Sequence, residues 1–228
     1  MSLDIKTPSD VVKFLKDNEI NYVDLRFTDP RGKWQHLTMV TEFVGEDVFE
    51  DGIMFDGSSI GGWKAINESD MALIPDATTA VMDPFSAQPM LILYCDIIEP
   101  TNGQPYERDP RSVAKKAEAY IGSTGIGDTA YFGAEPEFFL FDDVRFKVEP
   151  NECFYAFSSE EGPYLSGDKL PDGNLGHRPG VKGGYFPVPP VDQSHDIRAE
   201  MVSVMIEMGL TMDKHHHEVA PSQHELGM

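Results

Sequence analysis

Residues Tyr131–Phe141, YFGAEPEFFLF, place two carboxylates one residue apart inside an apolar, aromatic run. In an extended strand successive side chains alternate between faces, so Glu135 and Glu137 are predicted to point the same way. Two like charges on one face raise each other's pKa unless a cation lies between them. Because Mg²⁺ and Mn²⁺ prefer oxygen ligands, the pattern indicates a divalent-cation site. The alternative is an edge strand with one solvated face, since carboxylates are abundant along this acidic chain.

Composition narrows the class of protein. The 228 residues suffice for one large or two small domains, and 40% hydrophobic and 11% aromatic residues indicate a globular protein. With 18 basic against 39 acidic residues, no nucleic-acid partner is expected. Cys95 and Cys153 form no CxxC pair, which favours a reducing compartment. The N-terminus lacks signal-peptide features and no segment has the apolar length of a membrane span, so a cytoplasmic protein without a membrane partner is expected.

The first hundred residues alternate between helix and strand patterns. A helix is predicted from Thr7, which can cap it, to about Asn18. Strands are predicted over 22–28 and 33–40, joined by a turn, and over 71–75 and 90–98, the last apolar enough to be central. Residues 46–70 read as a long loop, either functional or a surface loop with a tucked Trp63.

The later residues are less regular. Residues 99–105 are polar and rich in proline and glycine, which is typical of a domain boundary. A helix is predicted from Asp109 to about Ile121, with an inner stripe of Val113, Ala117, Tyr120 and Ile121. Residues 143–184 suggest a strand or two and a long excursion. A second helix is predicted to start at an Asp192 cap and reach Met208, with its buried side formed by Ile197, Met201, Val204, Met205 and Met208.

The segment Asp213–Glu225, DKHHHEVAPSQHE, is dense in possible ligands. If 214–220 is a strand, His216 and Glu218 share one face while His215 and His217 share the other. Neighbouring histidines on opposite faces cannot close one tetrahedral zinc site, and no cysteine accompanies them. We expect Glu218 and Glu225 as oxygen ligands, with one histidine supporting them or contacting substrate. The alternative is a solvated polar run.

Six segments together carry a resemblance to a known family: MFDGSSIGGW (54–63), NESDM (67–71), DPRS (109–112), FGAEPEFFLFD (132–142), GGYFPVPPVD (183–192) and HHHEVAPSQHE (215–225). In this order they resemble the N-terminal half of type I bacterial glutamine synthetases. The resemblance implies an α+β fold. A small β-grasp-like N-terminal domain (1–104) would precede the first part of an α+β catalytic barrel with an antiparallel sheet (105–228).

The resemblance also implies an activity, ATP-dependent glutamate–ammonia ligation through γ-glutamyl phosphate. Phosphoryl transfer depends on neutralising charge, for which carboxylate-held Mg²⁺ or Mn²⁺ ions are suited. By position, Glu137, Glu218 and Glu225 match ligands of one ion and Glu135 matches a ligand of a second. The other ligands of that second ion are absent from this sequence.

Further residue roles follow from the same resemblance. The loop carrying Asp56 would reach a neighbouring subunit and help to bind ammonium, with Tyr185 and Asp70 at the same site. Asp213, His216 and His217 lie where the family contacts nucleotide phosphate or orders the metal ligands, and His216 is favoured because it shares the predicted face of Glu218. The expected partners are glutamate, ammonium, ATP and further copies of the chain in two stacked hexameric rings.

The sequence also departs from the family pattern. Asp213 replaces a glutamate, and Ser222 replaces a glycine, which would bring strain if its φ is positive. The family's second half, with the remaining metal ligands and phosphate-binding arginines, lies beyond Met228, so the chain by itself is expected to be inactive. One alternative is a truncated, non-catalytic paralogue acting as an oligomerisation or regulatory module. Another, a metal-dependent hydrolase, is weakened because no positioned nucleophile is evident.

Overall fold

The computed structural model describes residues 3–165 and 178–228, which mix helices and strands. The helices are α1 (Pro8–Asp17), α2 (Asp47–Asp51), α3 (Pro110–Thr124) and α4 (His195–Glu207). The strands are β1 (Tyr22–Thr28), β2 (Trp34–Val40), β3 (Ile53–Asp56), β4 (Asp70–Pro75), β5 (Val81–Met82), β6 (Met90–Glu99), β7 (Gln104–Pro105), β8 (Glu137–Phe139), β9 (Asp143–Glu149), β10 (Glu152–Ser158), β11 (Lys214–His217) and β12 (Gln223–Gly227). The α+β class is therefore confirmed.

The chain divides into two compact units, one ending at Tyr131 and the other spanning Phe132–Met228. The N-terminal unit contains a mixed sheet in the order β2-β1-β6-β4-β3, with β5 and β7 also paired to β6. Strand β6 runs parallel to β1 and antiparallel to β4, so the strand predicted to be central lies at the centre. The boundary at residue 104 stays a prediction about domains.

Helix α1 forms as the sequence predicts, for a local reason. Thr7 caps it, because its hydroxyl accepts from the Asp10 amide while the Asp10 carboxylate accepts from the Thr7 amide. Val11 and Leu15 are 0% and 2% exposed and form the inner edge of the helix. They join an apolar core that lies within the N-terminal unit.

The long loop predicted over 46–70 is wrong in part, because it contains α2 and β3. Strand β3 pairs antiparallel with β4, which sets Asp56 opposite Asp70. Gly52, at φ 74°, precedes this four-residue strand, and the surrounding glycines made so short an element look like loop. The expected anchor is present, since Trp63 is 5% exposed and packs against Phe27 and Phe55.

The C-terminal unit contains a three-stranded antiparallel sheet in the order β11-β12-β8. Strand β8 is shorter than predicted. Pairing with β12 nevertheless continues outside it, as the Leu226 amide donates to the Pro136 carbonyl and the Met228 amide to the Ala134 carbonyl, both at 3.2 Å. Strands β9 and β10 form an antiparallel hairpin within the region predicted to hold a strand or two. Within the rest of that excursion, residues 166–177 lie outside the described residues.

Three predictions about the helices are wrong. Asp192 does not cap α4, which begins after Ser194, because the Asp192 carboxylate pairs with Arg198 instead. The predicted buried side of α4 is partly or largely open, and Ile197 is 48% exposed. The inner stripe of α3 is likewise open, with Val113 at 53% and Tyr120 at 70%. Periodicity identifies the apolar face of a helix, but burial also needs a surface to cover that face.

Among residues 3–165 and 178–228, no helix combines the length and the apolar character that a bilayer span requires.

Candidate metal centre

The central strand of the C-terminal sheet brings distant segments together. Glu225 on β12 lies directly opposite Glu137 on β8 and, on its other side, opposite His216 on β11. Residues directly opposite in antiparallel strands carry side chains on the same face. One row across the sheet therefore joins the EPE segment to the histidine-rich segment.

The ligand atoms of His216, Glu218 and Glu225 are close enough to share an ion. His216 Nδ1 lies 3.6 Å from Glu218 Oε1, and His216 Nε2 lies 3.6 Å from Glu225 Oε2. One ligand atom from each of the three residues falls within 4.8 Å of the others. Bonds of about 2.0–2.6 Å to a central hard cation place neighbouring ligands about 3–4 Å apart, so the spacing fits such an ion. Side-chain exposures of 11–15% leave the atoms reachable.

The electrostatics of the row also favour a cation. Burial raises the pKa of Glu225, and the nearby carboxylates of Glu135, Glu218 and Glu137 raise it further, while His216 acts in the opposite direction. The two EPE carboxylates therefore act on Glu225 through space, as expected for groups around one site. A divalent ion would relieve this repulsion, and carboxylate oxygens are the ligands that Mg²⁺ and Mn²⁺ prefer.

Hydrogen bonds fix two of the carboxylates. Glu137 Oε2 accepts from the Gln223 side-chain amide at 2.7 Å, and Glu218 Oε2 accepts from the Val219 amide at 2.9 Å. Each of these glutamates keeps a second carboxylate oxygen that can bind a cation.

Tyr185 lies beside the row through its contact with a histidine. Its ring packs edge-on to His216, with centroids 5.8 Å apart, and stacks on Phe186 at 4.0 Å. The Tyr185 side chain is half exposed. Phe186 has a φ of 59°, a left-handed conformation that costs a non-glycine residue about 1–3 kcal/mol. The structure thus holds an aromatic pair against His216 at the expense of local strain.

The three predicted nucleotide-contacting residues are placed differently from one another. His216 lies in the row, and Asp213 is exposed at the start of β11, where its amide donates to the Gly227 carbonyl. His217 is 1% exposed, with Nδ1 2.6 Å from the Glu218 carbonyl and Nε2 2.7 Å from Glu161. Burial alone would lower the pKa of His217, but the Glu161 carboxylate outweighs it and raises the pKa. The geometry therefore favours a role for His217 in ordering ligands over contact with phosphate.

A buried charged cluster on the other side of β12 is absent from the sequence predictions. Arg198, 1% exposed, donates to both carboxylate oxygens of Asp192, at 3.0 and 2.5 Å. Its Nη1 also lies 2.9 Å from Nδ1 of His224. Burial, with the Arg198 and His217 charges adding to it, lowers the pKa of His224 to about 4. The sequence signal for this cluster was the single arginine among the apolar residues of α4, because a buried arginine needs an acid as its partner.

In the N-terminal unit the structure brings Asp56 and Asp70 together as opposite residues of β3 and β4. Asp56 is exposed, and its carboxylate accepts from the Ser58 amide and hydroxyl and from the Ser59 hydroxyl, at 2.6–2.9 Å. The Ser58 hydroxyl, followed by Ser59, lowers the pKa of Asp56. An acid with a lowered pKa stays charged and attracts cations, but it is a weaker base.

Two family models cover most of the chain. One is described as the glutamine synthetase beta-Grasp domain and matches residues 19–100. The other is described as the glutamine synthetase catalytic domain and matches residues 107–228. The chain therefore belongs to the glutamine synthetase family, which confirms the resemblance in the six segments and the β-grasp domain that it implied.

Two of three similar proteins carry this family's name, and the third carries a different one. The chain is 66% identical over 220 residues to a glutamine synthetase of Azospirillum brasilense, covering 96% of this chain and 47% of that one. It is 53% identical over 220 residues to a protein of Cupriavidus pinatubonensis named 3-hydroxylaminophenol mutase, covering 96% and 47%. A Plasmodium falciparum glutamine synthetase structure superposes with a TM-score of 0.89 at 26% identity, covering 99% and 44%. The chain thus spans about half the length of the curated relatives it matches.

Proposed function

We propose that this chain forms the first part of an ATP-dependent glutamate–ammonia ligase, in which the γ-carboxylate of glutamate takes a phosphoryl group from ATP and ammonia then displaces phosphate. The observation that carries the proposal is the row of Glu137, Glu225 and His216 across three adjacent strands, with Glu218 beside it. Family membership supports the reaction class.

Four glutamates in or beside the row supply the ion sites of this proposal. Glu137, Glu218 and Glu225 hold one Mg²⁺ or Mn²⁺, and Glu135 contributes to a second. A divalent ion bound there supplies charge neutralisation for phosphoryl transfer. The protein's part is to hold these acids close together, and the pairing of Glu225 with Glu137 across adjacent strands supports this role.

Nucleotide binding is assigned to two residues near the row. His216 is partly exposed beside Glu218 and Glu225, and an imidazole N–H can donate to a phosphate oxygen. Asp213 is exposed and available to a nucleotide, with a shorter reach than glutamate. His217 orders the ligands from the opposite face.

Ammonium binding is assigned to Asp56, Asp70 and Tyr185. The two aspartates present neighbouring negative charge, and the lowered pKa of Asp56 keeps it ionised beside NH₄⁺. Asp56 therefore acts mainly by binding and orienting the cation. In the assembly proposed here, two stacked hexameric rings in the cytoplasm, the Asp56 loop serves the site of a neighbouring subunit.

A second candidate is a non-catalytic module that assembles with a longer paralogue. The presence of all four glutamates of the candidate metal centre argues for the ligase, because a binding module does not need them.

The experiment joins this chain to the second half of the Azospirillum brasilense protein, in place of that protein's own first half. The chimaera is expected to make glutamine from glutamate, ammonium and ATP, whereas the 228-residue chain alone shows no γ-glutamyl transfer with Mn²⁺. Glu225→Gln in the chimaera should lower kcat at least 100-fold, while Glu149→Gln on exposed β9 leaves it unchanged.

Three results would contradict the proposal. These are an assembled but inactive chimaera, a Glu225→Gln chimaera of full activity, and mutase turnover of a hydroxylaminophenol in place of glutamine synthesis. Turnover by the isolated chain would overturn the expectation that these 228 residues alone are inactive.

A further inference from the structure

Glu161 is a buried carboxylate outside every segment that the function has used so far. It is 4% exposed and follows the β9–β10 hairpin. One carboxylate oxygen, Oε2, accepts from the Ser222 amide at 3.0 Å. The other, Oε1, lies 2.7 Å from Nε2 of His217. A buried acid with two such partners is held in one place, and it holds its partners in return.

The two partners of Glu161 lie at the two ends of one connection. Strand β11 ends at His217 and strand β12 begins at Gln223, so residues 218–222 link them. Glu218 opens this connection, and Glu225 follows it on β12. The chain between Glu218 and Glu225, the two carboxylates on either side of His216, therefore includes a connection that Glu161 contacts at both ends.

The connection 218–222 needs contacts that hold it in place, because the backbone of one of its residues is strained. Ser222 has a φ of 65°, in the left-handed region that disfavours non-glycine residues by about 1–2 kcal/mol. The Ser222 hydroxyl donates to the Ser159 hydroxyl at 2.6 Å, and the Glu161 amide donates to that same Ser159 oxygen at 3.3 Å. Residues 159–161 thus hold Ser222 in its strained conformation through hydrogen bonds to its backbone amide and its hydroxyl.

Through the His217 ring, Glu161 is also linked to the backbone of Glu218. Nδ1 of His217 lies 2.6 Å from the Glu218 carbonyl oxygen. A chain of contacts therefore runs from the Glu161 carboxylate through the imidazole ring to the backbone of Glu218. Displacing Glu161 would free that ring and, with it, the backbone that aims the Glu218 side chain.

We propose that Glu161 is a positioning residue for the divalent-cation ligands Glu218 and Glu225, acting through the His217 ring and the Ser222 amide. This inference rests on the proposed function, because it takes Glu218 and Glu225 to be ligands. Glu161 itself does not touch the ion. It sets the spacing between two ligands that the chain places on either side of a strained turn.

The test measures Mn²⁺ binding to the 228-residue chain by the electron paramagnetic resonance signal of free Mn²⁺. Glu161→Ala removes both contacts and should raise the Kd about 10- to 100-fold, the usual effect of losing a group that orients a ligand. Glu161→Gln keeps the reach, since its carbonyl oxygen can accept from the Ser222 amide and its NH₂ can donate to the His217 ring. Its Kd should stay within about threefold of the unsubstituted chain. Glu160→Ala, at the adjacent partly exposed acid, is the matched control and should not change the Kd.

A second comparison separates positioning from stability and from charge. Glu161→Asp keeps the charge but shortens the reach, so it should bind Mn²⁺ more weakly than Glu161→Gln. Circular dichroism identifies temperatures at which each variant is folded, and the visible spectrum of bound Co²⁺ reports ligand geometry. The Co²⁺ spectrum should change in Glu161→Asp and remain unchanged in Glu161→Gln. If Glu161→Ala does not fold, the Asp and Gln variants decide the question.

The outcomes distinguish the two proposals. If the unsubstituted chain binds Mn²⁺ and Glu161→Ala binds it equally well, the positioning role is overturned while the metal centre stands. If Glu161→Asp binds Mn²⁺ as tightly as the unsubstituted chain while Glu161→Gln does not, charge matters more than reach, which also overturns positioning. If the unsubstituted chain binds no Mn²⁺, the proposed metal centre fails and the positioning role falls with it.

Discussion

The two units of this chain bury opposite kinds of side chain. Apart from Leu226, every buried hydrophobic residue of the described chain belongs to the N-terminal unit, around strands β1, β4 and β6. The buried polar residues of the C-terminal unit are Ser159, Glu161, Asp192, Arg198, His217, Ser222, His224 and Glu225. The first unit is therefore held by its apolar core, whereas the second keeps charged groups in fixed positions.

This difference between the units separates contacts that stabilise the fold from contacts that fix the positions of side chains. Fully burying a Leu or Val side chain contributes about 1.5–3 kcal/mol, so a core like that of the N-terminal unit stabilises its own fold. A buried ion pair such as Arg198–Asp192 adds little net stability, yet removing one partner is expensive because the other charge is left unpaired. In its described residues, the C-terminal unit thus buries few apolar side chains but several charged groups whose partners are costly to remove.

The largest expected effect follows from making the two units separately. Residues 3–131 should unfold in one cooperative transition, because their core is internal to them. Residues 132–228 should unfold at a much lower temperature and urea concentration, because Leu226 is the only buried large apolar side chain among the described residues of this unit. Thermal and urea unfolding followed by circular dichroism measures both. Unfolding midpoints for 132–228 as high as those of 3–131 would break the comparison.

Arg198 tests the charged cluster in the C-terminal unit. Arg198→Met leaves Asp192 buried without its partner and should destabilise that unit by about 3–5 kcal/mol. Adding Asp192→Leu should recover most of the loss, since no buried charge then remains. Arg145→Met, at a side chain that is 71% exposed, is the control and should change the free energy of unfolding by less than about 0.5 kcal/mol. Equal losses in the single and double variants would contradict this account.

Asp24 sharpens the comparison, because it is one of the buried acids inside the apolar unit. Burial alone would raise its pKa, but hydrogen bonds from Thr38, Arg26 and His36 outweigh that and lower the pKa. A lowered folded-state pKa adds stability that is present above the unfolded pKa of about 4 and is lost as the pH falls through the folded value. Urea titrations between pH 6 and pH 2 should show this loss for the N-terminal unit.

The matched variant for that pH dependence is Asp24→Asn. It should cost about 1.5–3 kcal/mol at neutral pH, as expected for buried hydrogen bonds to a charged group. It should also flatten the acid-side loss of stability. An unchanged pH profile in Asp24→Asn would show that other carboxylates are responsible.

The smallest expected effect is at Ser222. Ser222→Gly relieves the positive φ but gives up the hydroxyl contact with Ser159 and adds flexibility to the unfolded chain, so these effects should cancel to within about 1 kcal/mol. Ser222→Ala keeps the strain and loses the hydroxyl, so it should be less stable than both Ser and Gly. Chemical unfolding of the three proteins gives the order, and an alanine variant as stable as the serine would contradict it.

Local signals in the sequence were sufficient for some elements. The capping box of Thr7 and Asp10 fixes α1 within one turn, and the continuous apolar run of β6 marks a central strand. The shared face of His216 and Glu218 was also predictable, since alternation along a strand needs only neighbouring residues.

Other features depend on contacts that no short segment contains. The pairing of β12 with β8 depends on long-range register. The sequence could therefore identify Glu137 and Glu225 as candidate ligands but could not show that they lie opposite each other. Asp192 was predicted to cap a helix because aspartate does so often, but a buried arginine six residues later outcompetes that role. Glu161 lies in a region with no periodicity, and its partners are 56 and 61 positions away.

The most direct test of the central claim is anomalous scattering from a crystal of the chain grown with Mn²⁺. The account predicts one strong peak at bonding distance, about 2–2.5 Å, from oxygens of Glu137, Glu218 and Glu225. Such a peak would show acids from two separate segments sharing one ion. A crystal with no peak in that row, or with Mn²⁺ held only by acids elsewhere on the surface, would contradict it.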